Sequence, residues 1–561
     1  MKSLYYLILI VLIFSAPAGY GQQILNNPPQ NVSIRSAAEW EEVQALVVTW
    51  RSYPAILAEI IRYAQEECKV IVHASNPSSA QSDLINLYGV PIGPNVIFEP
   101  QPSNSLWIRD YGANTVYIND VDSLFLVDWK YNRPNRVQDD TIPRAYARLL
   151  NVNLVQSTQS PNLLVHTGGN FMSDGFGNGF SSELILEENP DKSEAQIDNI
   201  MFNYMGISEY IKMPVLPYDG IHHIDMHMKL LDEETLLFGQ YPQGIADGPQ
   251  IEANMLYVLD NHNSVFGTPY KIVRVVQPPD DNNRYPNQNG DYRTYSNAIF
   301  INKTVLLPVY EERYDTTALR VWRESLPGYR IVPIDCNGII PAGGAIHCIT
   351  HSVGVNDPLL ISHQPLRDTY DTENDYVVNA RIQHRSGILN AKLYYTDDTL
   401  SNFVEISMTL AGGSEDYMWT GNIPAQAGDT EIFYYIQANA ISGKTQVRPI
   451  VAPEGWWKFN VLDTSSVVTY QQNVLEDLFS MNAFPNPSKG ITCIPVNTDY
   501  PVSLSLEVFD ITGRIVETIT NSKTFGGENR FYINTQAWAS GVYQIRATTP
   551  YGSVSQKLIV R

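Results

Sequence analysis

The chain reads as an α/β domain followed by two all-β sandwich domains, and three observations predict this. Residues 35–360 alternate short apolar strand runs with stretches of helical periodicity. Residues 361–463 show strand runs at short spacing, broken by Gly and Asp turns, without clear helices. Residues 481–561 are short strand runs joined by Asn-Pro and Thr-Gly turns, the pattern of a small β-sandwich. At 561 residues the chain is too long for one core. Its 44% hydrophobic and 11% aromatic content, with 34 Tyr and 18 Phe, belongs to a folded, β-rich protein rather than a disordered one. The net charge of −22 argues against nucleic acid and anionic membranes as partners and would mildly attract cations; solubility outside the cell explains it equally well.

Taken in order, residues 1–21 read as a secretory signal peptide. Lys2 precedes an apolar run over 4–14, and the small residues Gly19 and Gly21 suit a cut near Gln22. The run is too short to span a bilayer, and no later segment reaches that length. The α/β domain occupies 22–360. Strands are expected over 45–50, 70–73, 96–98, 115–118, 124–129, 235–239, 298–301 and 305–309, with helices over 55–67, 79–88 and 192–205. Residues 361–463 form an immunoglobulin-like domain, which contains no cysteine pair. Residues 464–480 are a linker and 481–561 the final sandwich.

The chemistry lies in four dispersed segments: Trp107-Ile108-Arg109-Asp110, His223-Ile224-Asp225, Tyr295-Ser296-Asn297, and Gly343-Gly344-Ala345-Ile346-His347-Cys348. Two acids to hold a cation, an imidazole to move protons and a thiol to attack carbon suit modification of a guanidinium. A guanidinium is a planar fork of donors, which carboxylates such as Asp110 and Asp225 satisfy edge-on, leaving its central carbon open to Cys348. The Trp107 ring could stack on its plane, although an aromatic in such a place is more often core. Cys348, after a Gly-rich turn and directly behind His347, suits a reactive thiol; a Cys336–Cys348 disulfide is the competing reading in an exported chain. Cys68 reads as a helix-to-strand junction. If residues 221–228 are a strand, His223, Asp225 and His227 share one face, which leaves open acid–base work, a zinc-type site or a structural hydrogen-bonded group.

With these residues in hand, the first domain resembles the Porphyromonas-type peptidylarginine deiminase family, related to agmatine deiminases. The resemblance is carried by residues 107–110, 128–134, 166–175, 223–225, 295–297 and 347–351. It implies a five-fold pseudosymmetric α/β propeller (a pentein) that uses no metal or other cofactor and converts arginine side chains to citrulline. Carried over, Cys348 is the nucleophile, His223 the general acid/base, Asp110 and Asp225 the guanidinium ligands, and Asn297 an orienting residue. Trp107, Tyr295, Arg133 and Arg136 form the substrate-binding set. The family's secreted branch has two Arg separated by one residue where this chain reads Arg133-Pro134-Asn135-Arg136, so Arg136 is displaced from the second. The tail opens Pro485-Asn486-Pro487, continues through Asp510-Ile511-Thr512-Gly513-Arg514 and closes on Lys557-Leu558-Ile559-Val560. It resembles the type IX secretion sorting domain, which implies that secretion machinery as a partner and a secreted or surface-held product. This domain layout favours arginine-containing peptides or proteins as substrate. Agmatine, giving N-carbamoylputrescine, and a catalytically silent surface-binding protein are the alternatives.

Overall fold

The computed structural model describes residues 22–411, 417–463, 479–481, 483–498, 502–511, 514–524, 527–549 and 552–561. The expected signal peptide and linker residues 464–478 lie outside these. The last part of the expected linker belongs to the tail, since Phe479–Met481 is a strand paired with Ile491–Thr498.

Up to residue 354 one unit recurs: two antiparallel strands, a helical crossover, and a third strand parallel to the second. The first unit has strands Asn114–Ile118, Ser123–Trp129 and Asn153–Ser157 with helix Ile142–Leu150. The second has Met172–Ser173, Asn178–Ser182 and Glu209–Met213 with helix Glu194–Met205. The third has Met228–Leu230, Thr235–Gln240 and Lys271–Val276 with helix Gly248–Asn261. The fourth has Ile299–Ile301, Thr304–Val309 and Arg330–Asp335 with helix Glu312–Ser325. The fifth joins the two ends of the domain. His351–Gly354 pairs antiparallel with Val43–Thr49, which runs parallel to Lys69–Ala74 across helix Pro54–Glu67.

Local sequence explains the elements. Helix Pro54–Glu67 starts on a proline, whose fixed φ suits the first helical position, and buries Ile56, Leu57, Ile60, Ile61 and Ala64 along one stripe. Helix Glu194–Met205 has a capping box between Ser193 and Gln196 and ends on Gly206 at φ 70°, the left-handed region open to glycine. Cys68 is the cap between helix and strand. The expected strand over 221–228 is not formed. His222 takes φ 59°, Ile224–Met226 is a 3-10 turn that buries Ile224 and Met226, and extended structure begins only at Met228. The side-chain alternation that would place His223, Asp225 and His227 on one face therefore does not apply.

Beyond residue 360 two sheets enclose a second core that includes Val378, Ile382, Leu393, Ile423, Ile432, Ile436 and Val461. One sheet begins at Leu360–Ser362. Charged pairs fasten this sandwich to the first domain: Arg448 to Glu233 at 3.0 Å, Lys444 to Glu42 at 2.6 Å and Arg381 to Asp120 at 2.5 Å. The tail is a separate two-sheet sandwich around Ile494, Leu506, Ile545 and Leu558.

Candidate active site

The chain between strands, not the strands themselves, carries the chemistry. The short helix Ile108–Tyr111 presents Asp110, and the 3-10 turn Gly168–Asn170 packs against it. That approach needs glycine. A Cβ on Gly168 would collide with the Arg109 carbonyl oxygen, and one on Gly169 would sit 2.5 Å from His223 Nδ1 and 3.2 Å from Asp110 Oδ1. Gly344 does the same on the opposite side: its Cβ would lie 2.8 Å from both Cys348 Sγ and the Trp107 ring. Trp107 therefore borders the thiol.

Asn297 ties the segments together. Its Oδ1 accepts from the backbone N–H of Ala345 at 3.1 Å and of Cys348 at 3.4 Å, while its Nδ2 donates to Cys348 Sγ at 3.2 Å. Its carbonyl accepts from the His347 N–H at 3.1 Å, and neighbouring Ser296 donates to the Asp225 carbonyl at 3.0 Å. The Cys348 thiol lies 3.5 Å from Asp225 Oδ2. His223 Nδ1 stands 3.6 Å from Asp110 Oδ1. Asp225, Asn297, Cys348 and His223 are buried, and Asp110 is 15% exposed at its side chain.

Three buried polar atoms of this group have no hydrogen-bond partner: Asp110 Oδ1, Asp225 Oδ1 and His223 Nδ1. Unsatisfied acceptors at such depth are costly unless a ligand completes them. Burial, reinforced by the nearby Asp225 charge, raises the Asp110 carboxyl above its usual range against the pull of His223, Arg133 and Arg136. Asp225 ends below the usual range: burial pushes it up, but the hydrogen bond and charge of His347, together with the charges of His223 and Lys229, outweigh that. Burial, then the charges of Asp225 and Asp110, drives the Cys348 thiol well up, so the unliganded site holds a thiol beside carboxylates. All four cysteines are free, so the Cys336–Cys348 disulfide is not formed.

The remaining expected substrate contacts divide. Arg133 is paired with Glu188 at 2.5 Å, which offsets its charge, whereas Arg136 is held by the neutral Tyr131 hydroxyl at 2.7 Å. Tyr295 is a correction. It is wholly buried, its hydroxyl donates to Asp315 Oδ1 at 2.7 Å, and its ring packs edge-on against Tyr310, so it is a core residue. The sequence reading also missed Glu39, which hydrogen-bonds His347 from behind. Nothing in Ala38-Glu39-Trp40 signals this, whereas the adjacency of His347 to Cys348 was a usable clue.

The profile of the Porphyromonas-type peptidyl-arginine deiminases matches residues 35–353, more than half of the chain and all five strand–helix units. The chain belongs to that family. Similar proteins carry a related name. One assigned as an agmatine deiminase in Legionella pneumophila (strain Paris) is 24% identical over 346 residues, covering 58% of this chain and 97% of its own. Another, from Vibrio parahaemolyticus, is 25% identical over 282 residues, covering 45% and 76%. Among solved structures, the agmatine deiminase of Enterococcus faecalis superposes with a TM-score of 0.52 at 17% identity, covering 60% of this chain and 100% of that one. At that identity the likeness speaks for the deiminase fold alone. Residues 482–561 match the secretion system C-terminal sorting domain, so this member of the deiminase family is a type IX secreted or cell-surface protein. Among the described residues no helix is long and apolar enough to cross a membrane.

Proposed function

We propose that this secreted deiminase hydrolyses the guanidinium of peptide-bound arginine to citrulline and ammonia through a covalent adduct on Cys348. The observation that carries the reading is the pair of buried carboxylate oxygens that accept no hydrogen bond, Asp110 Oδ1 and Asp225 Oδ1, beside a buried thiol and imidazole. A guanidinium between them donates to both, and its positive charge offsets the two charges that hold Cys348 as a thiol. The Cys348 proton passes to His223, and the resulting thiolate adds to the guanidinium carbon. His223 protonates one amino group, the C–N bond breaks and ammonia leaves, giving an S-alkylthiouronium. Water, deprotonated by His223, adds to that carbon; the C–S bond breaks and the ureido product departs. Asn297 holds the nucleophile turn, and Trp107 forms a wall beside the thiol.

Arg133 and Arg136 support an arginine substrate over agmatine. Both charges act on Asp110, and Arg136, held by a neutral hydroxyl where Arg133 has a carboxylate, would repel a second cation and attract the carboxylate of an arginine-terminated peptide. Agmatine is the second reading, favoured by the names of the relatives. The five recurring units support closure into a five-bladed propeller with the site at its centre, and the 361–463 sandwich fits an immunoglobulin-like module. The test is ammonia and ureido-product release by the purified protein, comparing a C-terminal-arginine peptide, an internal-arginine peptide, free arginine and agmatine, with Cys348→Ala as control. Turnover of agmatine alone would overturn the substrate assignment. No turnover of any of them would remove the enzymatic reading.

A further inference from the structure

Behind the thiol lies a second layer of charge that the reaction scheme does not use. His347 is completely buried, and each ring nitrogen faces a carboxylate: Nδ1 lies 2.7 Å from Asp225 Oδ2 and Nε2 lies 2.7 Å from Glu39 Oε1. An ionised carboxylate only accepts, so with both partners ionised this geometry calls for a doubly protonated ring. Glu39 is held in turn by Lys229 Nζ at its Oε2 and by Arg109 Nη1 at 3.5 Å, and Arg109 Nε donates to the His347 carbonyl at 3.3 Å. Glu39 is driven well below the usual carboxylate range: burial opposes this, but the charges of His347, Lys229 and Arg109 outweigh it.

Asp225 is consequently bound on one side only. Its Oδ2 takes His347 and lies near the thiol, while Oδ1 stays unpartnered. Asp110 has no such support behind it, and the two carboxylates shift in opposite directions.

We infer that His347, gripped by Glu39, is a positioning residue: it fixes Asp225 so that Oδ1 is presented to the substrate, and its charge counters the carboxylate charge felt by Cys348. The inference rests on the proposed roles of Asp225 and Cys348. The groups around His347 are Asp225 on the 224–226 turn, Glu39 on the 37–42 segment, Arg109 on helix Ile108–Tyr111 and His351 on the following strand, with Lys229 on strand Met228–Leu230 behind Glu39. Cys348 neighbours it on its own turn.

The test uses full-length protein and two readouts. The first needs no turnover: iodoacetamide alkylation of Cys348, followed by peptide mass spectrometry against pH. Removing the imidazolium in His347→Ala or His347→Asn leaves the Asp225 charge uncountered. The alkylation midpoint should rise by about one pH unit, a tenfold slower reaction at fixed pH below it. The second readout separates position from charge. Asn keeps a donor near the place of Nδ1, so His347→Asn should hold KM near wild type, while His347→Ala loses roughly ten- to a hundredfold in kcat/KM. Glu39→Gln, which retains a hydrogen-bond acceptor, covers the case where His347 variants do not fold; loss of the rear charge should add a new step to the alkylation profile. Folded variants with the wild-type alkylation profile would overturn the inference. A wild-type protein that releases ammonia from no guanidine would sink the proposed function and leave the alkylation test of His347 standing.

Discussion

Adding one methyl group at Gly169 should disable the site while leaving the fold in place. A Cβ there would lie 2.5 Å from His223 Nδ1, where a non-bonded carbon needs about 3.5 Å, so the ring must retreat by roughly 1 Å. Relief by the turn itself is blocked, because the neighbouring Gly168 already packs on the Arg109 carbonyl too closely for a side chain. The φ of Gly169 is not in the left-handed region, so the effect is one of space and not of backbone strain. A 1 Å displacement of a reacting group costs about a hundredfold in rate, and overpacking costs about 1–3 kcal/mol in stability. Gly169→Ala should therefore lower kcat by about a hundredfold with only a modest fall in Tm, measured by ammonia release and thermal unfolding. Gly220→Ala is the control, since a Cβ there meets nothing within 4 Å. Wild-type kcat and KM in Gly169→Ala would refute the argument that the imidazole is placed by contact with this turn.

Other expectations follow from charge. Because burial and Asp225 raise the Asp110 carboxyl, it loses its charge at higher pH than an ordinary carboxyl as pH falls; the acidic limb of kcat/KM should lie above the usual Asp value of about 3.9. Asp110→Asn should abolish turnover yet speed Cys348 alkylation at fixed pH, since one of the charges that raises the thiol is gone; slower alkylation would contradict the electrostatic account. Arg136→Ala should raise KM for a C-terminal-arginine peptide by about tenfold and lower it for agmatine, whose second cation is no longer repelled; a change of the same sign on both would remove Arg136 from carboxylate recognition. Arg448→Ala strands Glu233, nearly buried at the domain junction, and should cost about 3–5 kcal/mol, read as a lower Tm; an unchanged Tm would show that the ion pair does not fasten the domains.

The deiminase family and the gathering of Asp110, His223, Asp225, Asn297 and Cys348 were legible in the residue types, because a thiol, an imidazole and two carboxylates in short distinctive segments leave few sites that need them all. Strands such as Val43–Thr49 and Thr304–Val309 were legible for a different reason: their apolar runs are buried on both faces, so the pattern is continuous. The 221–228 segment misled because alternating polar residues look the same in a strand and in an irregular turn; burial of Ile224 and Met226 and the left-handed His222 decided between them. Tyr295 misled because sequence proximity to Asn297 says nothing of direction, and its side chain turns to Asp315.

By itself the sequence determined the family and the export tail, and it singled out the candidate site residues, since these depend on composition, local periodicity and short motifs. Only the tertiary structure decided the pairings: His347 with Asp225 and Glu39, Asn297 with the Cys348 turn, and Gly169 beneath His223. Glu39 and His347 are separated by 308 positions, and Asp225 and His347 by 122. Contacts at such separations come from the packing of strand–helix units around one another, which no local rule of backbone or side chain encodes.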